Sequence, residues 1–193
     1  MTNFLTTLHE KTAGPLLMGI LNVTEDSFSD GGDFLNAELA ITHAKQMVAD
    51  GAKIIDIGAE STRPGAMPVS EEVQIQRVEP LIKAIRKAVG DSVYLSIDAR
   101  RTSVAEAALE AGADIINDVE AGRDDGMLEL AAANSVPIVL MHMQGKPQTM
   151  QEQPRYDDVL EEVKRFLMER ATAAQEAGVE KEQIIIDPGI GFG

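Results

Sequence analysis

Cysteine is absent from the 193 residues, which excludes disulfides, thiolate nucleophiles and thiolate metal centres. Histidine is scarce: His9, His43 and His142 are too few and too scattered for a histidine-built metal site. No stretch reaches the roughly 20 apolar residues of a membrane-spanning helix, and the N-terminus lacks the apolar segment of a signal peptide. The cytoplasm is therefore the expected compartment. Basic residues are outnumbered, 17 Lys and Arg against 32 Asp and Glu, giving a formal net charge of −15. So acidic a surface disfavours nucleic acid and anionic membrane as partners. Small anionic substrates stay open to it, because a few local donors outweigh a distant field that salt screens.

What is present reads as one globular domain over residues 1–193, with 44% hydrophobic and 25% charged residues around a single core. After a lead-in closed by Gly14-Pro15, six aliphatic runs alternate with helical stretches: residues 16–22, 53–56, 93–98, 114–118, 137–142 and 184–187. Each run ends on a polar side chain. In a parallel α/β sheet or barrel such ends gather on one face, where ligands bind. Asn22, Asp56, Asp98, Asn117, His142 and Asp187 are therefore expected around one pocket.

Helices are expected from near Asn36 to Gly51, from Ser70 onward, from Ser103 to Gly112, from about Asp125 to Asn134, and from about Asp157 to Gly178. Pro80 should kink or divide the second. Ser103-Val104-Ala105-Glu106 reads as a capping box opening the third. The segments Asp50-Gly51-Ala52-Lys53-Ile54-Ile55-Asp56 and Ala111-Gly112-Ala113-Asp114-Ile115-Ile116-Asn117 nearly repeat, each a helix-ending glycine, a turn and a buried strand. Strict alternation fits both an open sheet and a barrel. Strand one is followed by Asn22-Val23-Thr24 rather than a glycine-rich turn, and polar ends mark every strand, which favours a (β/α)8 TIM barrel. A whole barrel has eight units and about 250 residues. This chain supplies six strands, so the α/β barrel is expected to be truncated after about strand six.

The loop after strand one, Asn22 to Gly32, is long, polar and ends in two glycines. The loop after strand two, Glu60-Ser61-Thr62-Arg63-Pro64-Gly65-Ala66, sets a hydroxyl and a guanidinium beside a rigid turn. It suits an anion, or is an ordinary turn with a solvated arginine. Asn117 and Asp118 are adjacent on a strand and so face opposite ways; Asn117 is the one assigned to the pocket. Asp56 reads as support for the barrel mouth. His142 is either a general base or support for the fifth loop, the second being favoured. Arg100 and Arg101 read as a solvated start to the third helix.

These residues carry a resemblance. Met18-Gly19-Ile20-Leu21-Asn22-Val23-Thr24 with Asp26-Ser27-Phe28-Ser29-Asp30-Gly31-Gly32, then Glu60-Ser61-Thr62-Arg63-Pro64-Gly65, Ser96-Ile97-Asp98, Ile116-Asn117-Asp118, Met141-His142-Met143 and Asp187-Pro188-Gly189-Ile190-Gly191-Phe192, resemble in order the signatures of the dihydropteroate synthases. The resemblance implies a pterin-binding barrel that joins 6-hydroxymethyl-7,8-dihydropterin diphosphate to 4-aminobenzoate, with Mg2+ on the diphosphate. It implies catalytic roles for Asn22 and Asp98, with Asn22 meeting the metal and diphosphate through its amide oxygen. Thr62 would donate to the diphosphate and Arg63 shape the aminobenzoate side. Asp98, Asn117 and Asp187 would grip the pterin, with Met141 as an apolar wall. A homodimer is implied for the full-length protein.

Three positions depart from the pattern: Glu25 where Pro is usual, Ala99 where Thr is common, and Glu120 where Ser is usual. The family's later Ser-Arg-Lys and Arg-x-His segments would lie beyond Gly193, so this chain alone is expected to fold poorly and turn over weakly or not at all. Two rival readings share the barrel: the pterin domain of a folate-dependent corrinoid methyltransferase, and a non-catalytic pterin-binding paralogue. The loops after strands one and two favour the synthase.

Overall fold

A computed structural model describes residues 15–23, 32–60, 68–145, 150–151 and 153–192. Six strands alternate with five helices: β1 (Met18–Asn22), α1 (Gly32–Ala49), β2 (Ile54–Gly58), α2 (Glu71–Val89), β3 (Tyr94–Asp98), α3 (Thr102–Ala111), β4 (Ile115–Asp118), α4 (Met127–Asn134), β5 (Ile138–Met141), α5 (Val159–Glu176) and β6 (Ile184–Asp187). All neighbouring strands are parallel, and their order across the sheet is their order in sequence. A doubly wound sheet reverses that order at a switch point; an unreversed one, with right-handed crossovers, keeps every helix on the same side. This is the winding of a (β/α)8 barrel, of which the described residues supply six strands and five helices.

Strand alternation divides the apolar residues into two layers. Ile55, Ile57, Leu95, Ile97, Ile116, Ile138 and Leu140 point outward and are buried against Val78, Ile82, Ile85, Val104, Ala105, Ala108, Met127 and Ala131 of the helices. Ile54, Ile115 and Val139 point inward with Tyr94 and Ile185 and form a smaller interior cluster. Both faces are covered in the middle of the sheet, which is why the strands read as continuous aliphatic runs. At its sides the cover ends. Ile20 on β1 is 63% exposed and Ile186 on β6 is 55% exposed. Among the described residues no helix is long and apolar enough to cross a membrane.

The helix boundaries bring three corrections. The first helix begins at Gly32, ahead of the expected Asn36. Pro80 does not divide α2: one helix runs through it. A proline inside a helix costs roughly 3 kcal/mol, but Val78, Leu81, Ile82 and Ile85 on both sides are buried. At about 1.5–3 kcal/mol each, their burial outweighs that cost. The capping box at Ser103 does not form. Asp124, from the β4–α4 loop, instead accepts from Thr102 N at 2.8 Å and Thr102 Oγ1 at 2.9 Å, while Ser103 Oγ donates to Glu71 Oε2 at 2.6 Å. The glycine junctions are as expected, Gly51 at φ 108° and Gly112 at φ 109°, a region where side chains are strained.

Candidate functional site at the carboxyl ends of the strands

Residues paired in a parallel ladder project to the same face, so the register states which side chains meet. Asn22 pairs with Gly58, Gly58 with Asp98, and Asp98 with Asn117. That row is the floor of the site. Two residues below it lie Asp56 and Ser96, also paired; Met141 and Asp187 pair on the far side. Of the residues expected around one pocket, the sheet thus brings Asn22, Asp56, Asp98, Asn117 and Asp187 to one inner face. Thr62 and Arg63 lie outside the described residues, as do Glu25 and most of the first loop.

Gly58 went unnoticed in the sequence, and the register explains its place. A Cβ there would sit 3.1 Å from Asn22 Oδ1 and 3.3 Å from Asp98 Oδ2. Two oxygen-bearing side chains can converge because nothing stands between them. Asn117 Nδ2 donates to Asp56 Oδ2 at 3.0 Å, which turns the Asn117 amide oxygen away from Asp56. Asp56 is thereby support for the mouth, as expected, with a definite partner. Asp118 faces the other way. It is fully buried and accepts from Glu120 N at 2.7 Å and Gly122 N at 2.6 Å, fixing the β4–α4 turn.

The acids are crowded. Burial raises the Asp98 carboxyl well above its ordinary range, and the charges of Asp56, Asp118 and Glu60 raise it further. Burial likewise raises Asp56, against the lowering pull of Ser96 and Asn117 beside it. Asp118 is pushed up to about 6, by burial first, against its two backbone donors. Raised carboxyls on the inner face suit a ligand with N–H donors or positive charge, which favours the ionised form.

On the rim, His142 is buried, and its ring packs edge-on to Phe166 of α5 with centroids 5.1 Å apart and tilted on Tyr156 at 6.1 Å. It belongs to the loop packing rather than to the row of oxygens, and burial lowers its pKa. Met141 forms an apolar wall with Val119, Met143, Met150 and Phe192. Asp187 Oδ1 accepts from Gly189 N at 2.8 Å, closing a turn in which Gly189 has φ 65° and lies against the His142 carbonyl. A Cβ at Gly189 would fall 1.9 Å from that oxygen.

Arg100 is largely buried, which corrects the sequence reading; Arg101 is paired but its side chain stays 38% exposed. Arg100 Nε and Nη2 donate to Glu60 Oε2 and Oε1 at 2.7 and 3.1 Å, and Nη1 to Glu120 Oε1 at 3.2 Å. Arg101 pairs with Asp124 at 2.8 Å. A signal existed: Glu60 and Arg100 each lie two residues beyond the paired Gly58 and Asp98, so opposite charges follow adjacent strands at the same offset.

No three His, Asp or Glu side chains gather into a metal cage among the described residues. A Mg2+ held by one protein oxygen and substrate phosphates needs no such cage, and Asn22 Oδ1 at the mouth fits that single role.

Residues 18–193 match the family model described as pterin binding enzyme. The chain is 49% identical over 179 residues to the dihydropteroate synthase of Escherichia coli K12, covering 93% of this chain and 63% of that protein. It is similar in structure to Xanthomonas albilineans dihydropteroate synthase with 4-aminobenzoic acid, at TM-score 0.84 and 47% identity over 94% of this chain and 63% of the other. The same enzyme in complex with 7,8-dihydropteroate aligns at TM-score 0.79 and 43% identity, over 93% of this chain and 62% of the other. The chain thus spans about 63% of the length of the curated relative it matches.

Proposed function

The chain belongs to the pterin-binding enzymes, and we propose that it carries the first six βα units of a dihydropteroate synthase. The reaction joins 6-hydroxymethyl-7,8-dihydropterin diphosphate to 4-aminobenzoate, yielding dihydropteroate and diphosphate for folate synthesis. The observation that carries this reading is the row Asn22–Gly58–Asp98–Asn117, in which three oxygen-bearing side chains flank a glycine gap at the sheet's carboxyl end.

A pterin edge offers adjacent N–H donors, and carboxylates accept such donors with both strength and direction. Asp98 and Asp187 take that role, with Asn117 held in one orientation by Asp56 and Met141 against the ring as an adaptable wall. Asp98, as a carboxylate accepting the ligand's donors, favours the positive charge that develops as the C–O bond to diphosphate breaks. Asn22 meets the diphosphate end and would hold Mg2+ through its amide oxygen; bound there, the ion would neutralise charge on the leaving diphosphate. Thr62 donating to diphosphate and Arg63 shaping the aminobenzoate side complete the assignment. A homodimer of the full-length protein and a cytoplasmic location belong to the same reading.

Turnover tests it. Dihydropteroate formation is measured for this chain and for the chain joined to the remaining third of the E. coli relative. Product from the joined protein, with pterin binding by both, supports the reading. Methyl transfer to a corrinoid, or no pterin binding by either, sinks it.

A further inference from the structure

We infer that Arg100 is a positioning residue, a clasp that holds both ends of the β2–α2 connection and the β4–α4 loop against the mouth of the pocket. The inference rests on the pterin-site reading for its functional consequence, and on geometry alone for the clasp. Arg100 and Glu60 are largely buried, with side-chain exposures of 15% and 10%. Glu60 Oε1, besides its bond to Arg100, accepts from Val69 N at 3.1 Å, so one carboxylate ties the residue that leaves β2 to the residue that leads into α2. The third arm reaches Glu120, one of the departures from the family resemblance, on the β4–α4 loop. Glu60, Arg100 and Asp98 share the wall of a cavity of about 10 Å3, no larger than a water, so the clasp abuts the floor of the site.

Electrostatics explains why this must be an arginine. Burial works to raise the Glu60 carboxyl, yet the Arg100 and Val69 hydrogen bonds and the nearby arginine charges carry it below its ordinary range. Glu60 in turn, more than any other neighbour, holds Arg100 protonated. A planar guanidinium serves both Glu60 oxygens and still has a nitrogen for Glu120; an ammonium is a point charge and cannot bridge all three. Without Arg100, two carboxylates stand unpaired beside Asp98, and the Val69 tie loses its anchor.

The test uses the full chain with Arg100→Gln, Arg100→Lys, Glu120→Ser and the double variant Arg100→Gln/Glu120→Ser, read by site-resolved amide exchange and by calorimetric binding of 6-hydroxymethyl-7,8-dihydropterin. In Arg100→Gln the Val69 amide should exchange at least about tenfold faster, equivalent to ~1.4 kcal/mol, while the Leu95 amide at the opposite end of the strands is unchanged. Pterin affinity should fall by a similar factor, with Arg100→Lys in between. Glu120→Ser should have a smaller effect alone and add little to Arg100→Gln. Uniform acceleration of all amides with unchanged affinity of the folded chain would overturn the clasp as a positioning device. Absence of pterin binding by the unsubstituted chain would count against the functional reading only, because Val69 exchange still decides whether the clasp holds the loop.

Discussion

At the amino-terminal end of the strands, Arg86 donates to the carbonyls of Val93, Gly90 and Gly112 at 2.7, 3.0 and 3.1 Å and pairs with Asp114, which also accepts from Leu95 N at 2.8 Å. At the carboxyl end, Arg100 meets carboxylates only. Both side chains are largely buried and both bridge consecutive βα units, yet their partners differ in kind. Backbone carbonyls cannot titrate and cannot leave, so the Arg86 hub is a fixed joint between α2, β3 and β4. The carboxylates on Arg100 stand beside Asp98, whose own carboxyl is raised by burial and by the neighbouring acids, while Glu60 is held below its ordinary range. The lesson is a division of labour along one set of strands: permanence below, chemistry above.

The largest blow to the upper end should come from Gly189→Ala. A Cβ would overlap the His142 carbonyl and φ 65° adds strain, so urea unfolding should show a loss of about 3–5 kcal/mol. Arg86→Ala should cost roughly 1–3 kcal/mol in the same assay by orphaning the part-buried carbonyls of Val93 and Gly112 and leaving Asp114 unpaired, while the folded fraction keeps its pterin affinity. A change in affinity per folded molecule would break the comparison. Asp187→Ala should do the reverse, weakening pterin binding by roughly 1.5–3 kcal/mol; unchanged affinity would remove Asp187 from the grip.

Sequence and structure parted company where partners come from other strands. The strand runs, the Gly51 and Gly112 stops and the choice of Asn117 over Asp118 were legible, because each depends only on spacing along the chain. The Asp56–Asn117 bond, the gap at Gly58 and the Arg100 clasp depend on register, which no single segment reveals. Ser103 and Pro80 obeyed local rules on paper and lost to tertiary terms: a carboxylate arriving from Asp124, and buried aliphatics on both sides of the proline. The composition of the loop bearing Thr62 and Arg63 left an anion site and an ordinary turn both open, and specific roles came only through the family resemblance.

A smaller effect separates the two ends by pH. Asp118 has a folded pKa of about 6, above its ordinary 3.8, so the folded state holds the proton more tightly and the unfolded state ionises first. Stability from this group is greatest at low pH and falls as pH rises from about 4 to about 6, then levels. Between pH 5 and 7.5 the loss is about 1.4 kcal/mol. Urea midpoints for Asp118→Asn should lack that increment; an identical pH slope in both proteins would refute it.

The division between the two ends of the strands is tested most directly by a calorimetric titration of 6-hydroxymethyl-7,8-dihydropterin into the unsubstituted chain and into Asp98→Asn and Arg86→Lys. It predicts saturable binding that weakens at least about tenfold in Asp98→Asn, the loss of ~1.4 kcal/mol, and stays the same in Arg86→Lys. Equal affinity in all three proteins, or weakening only in Arg86→Lys, would contradict it.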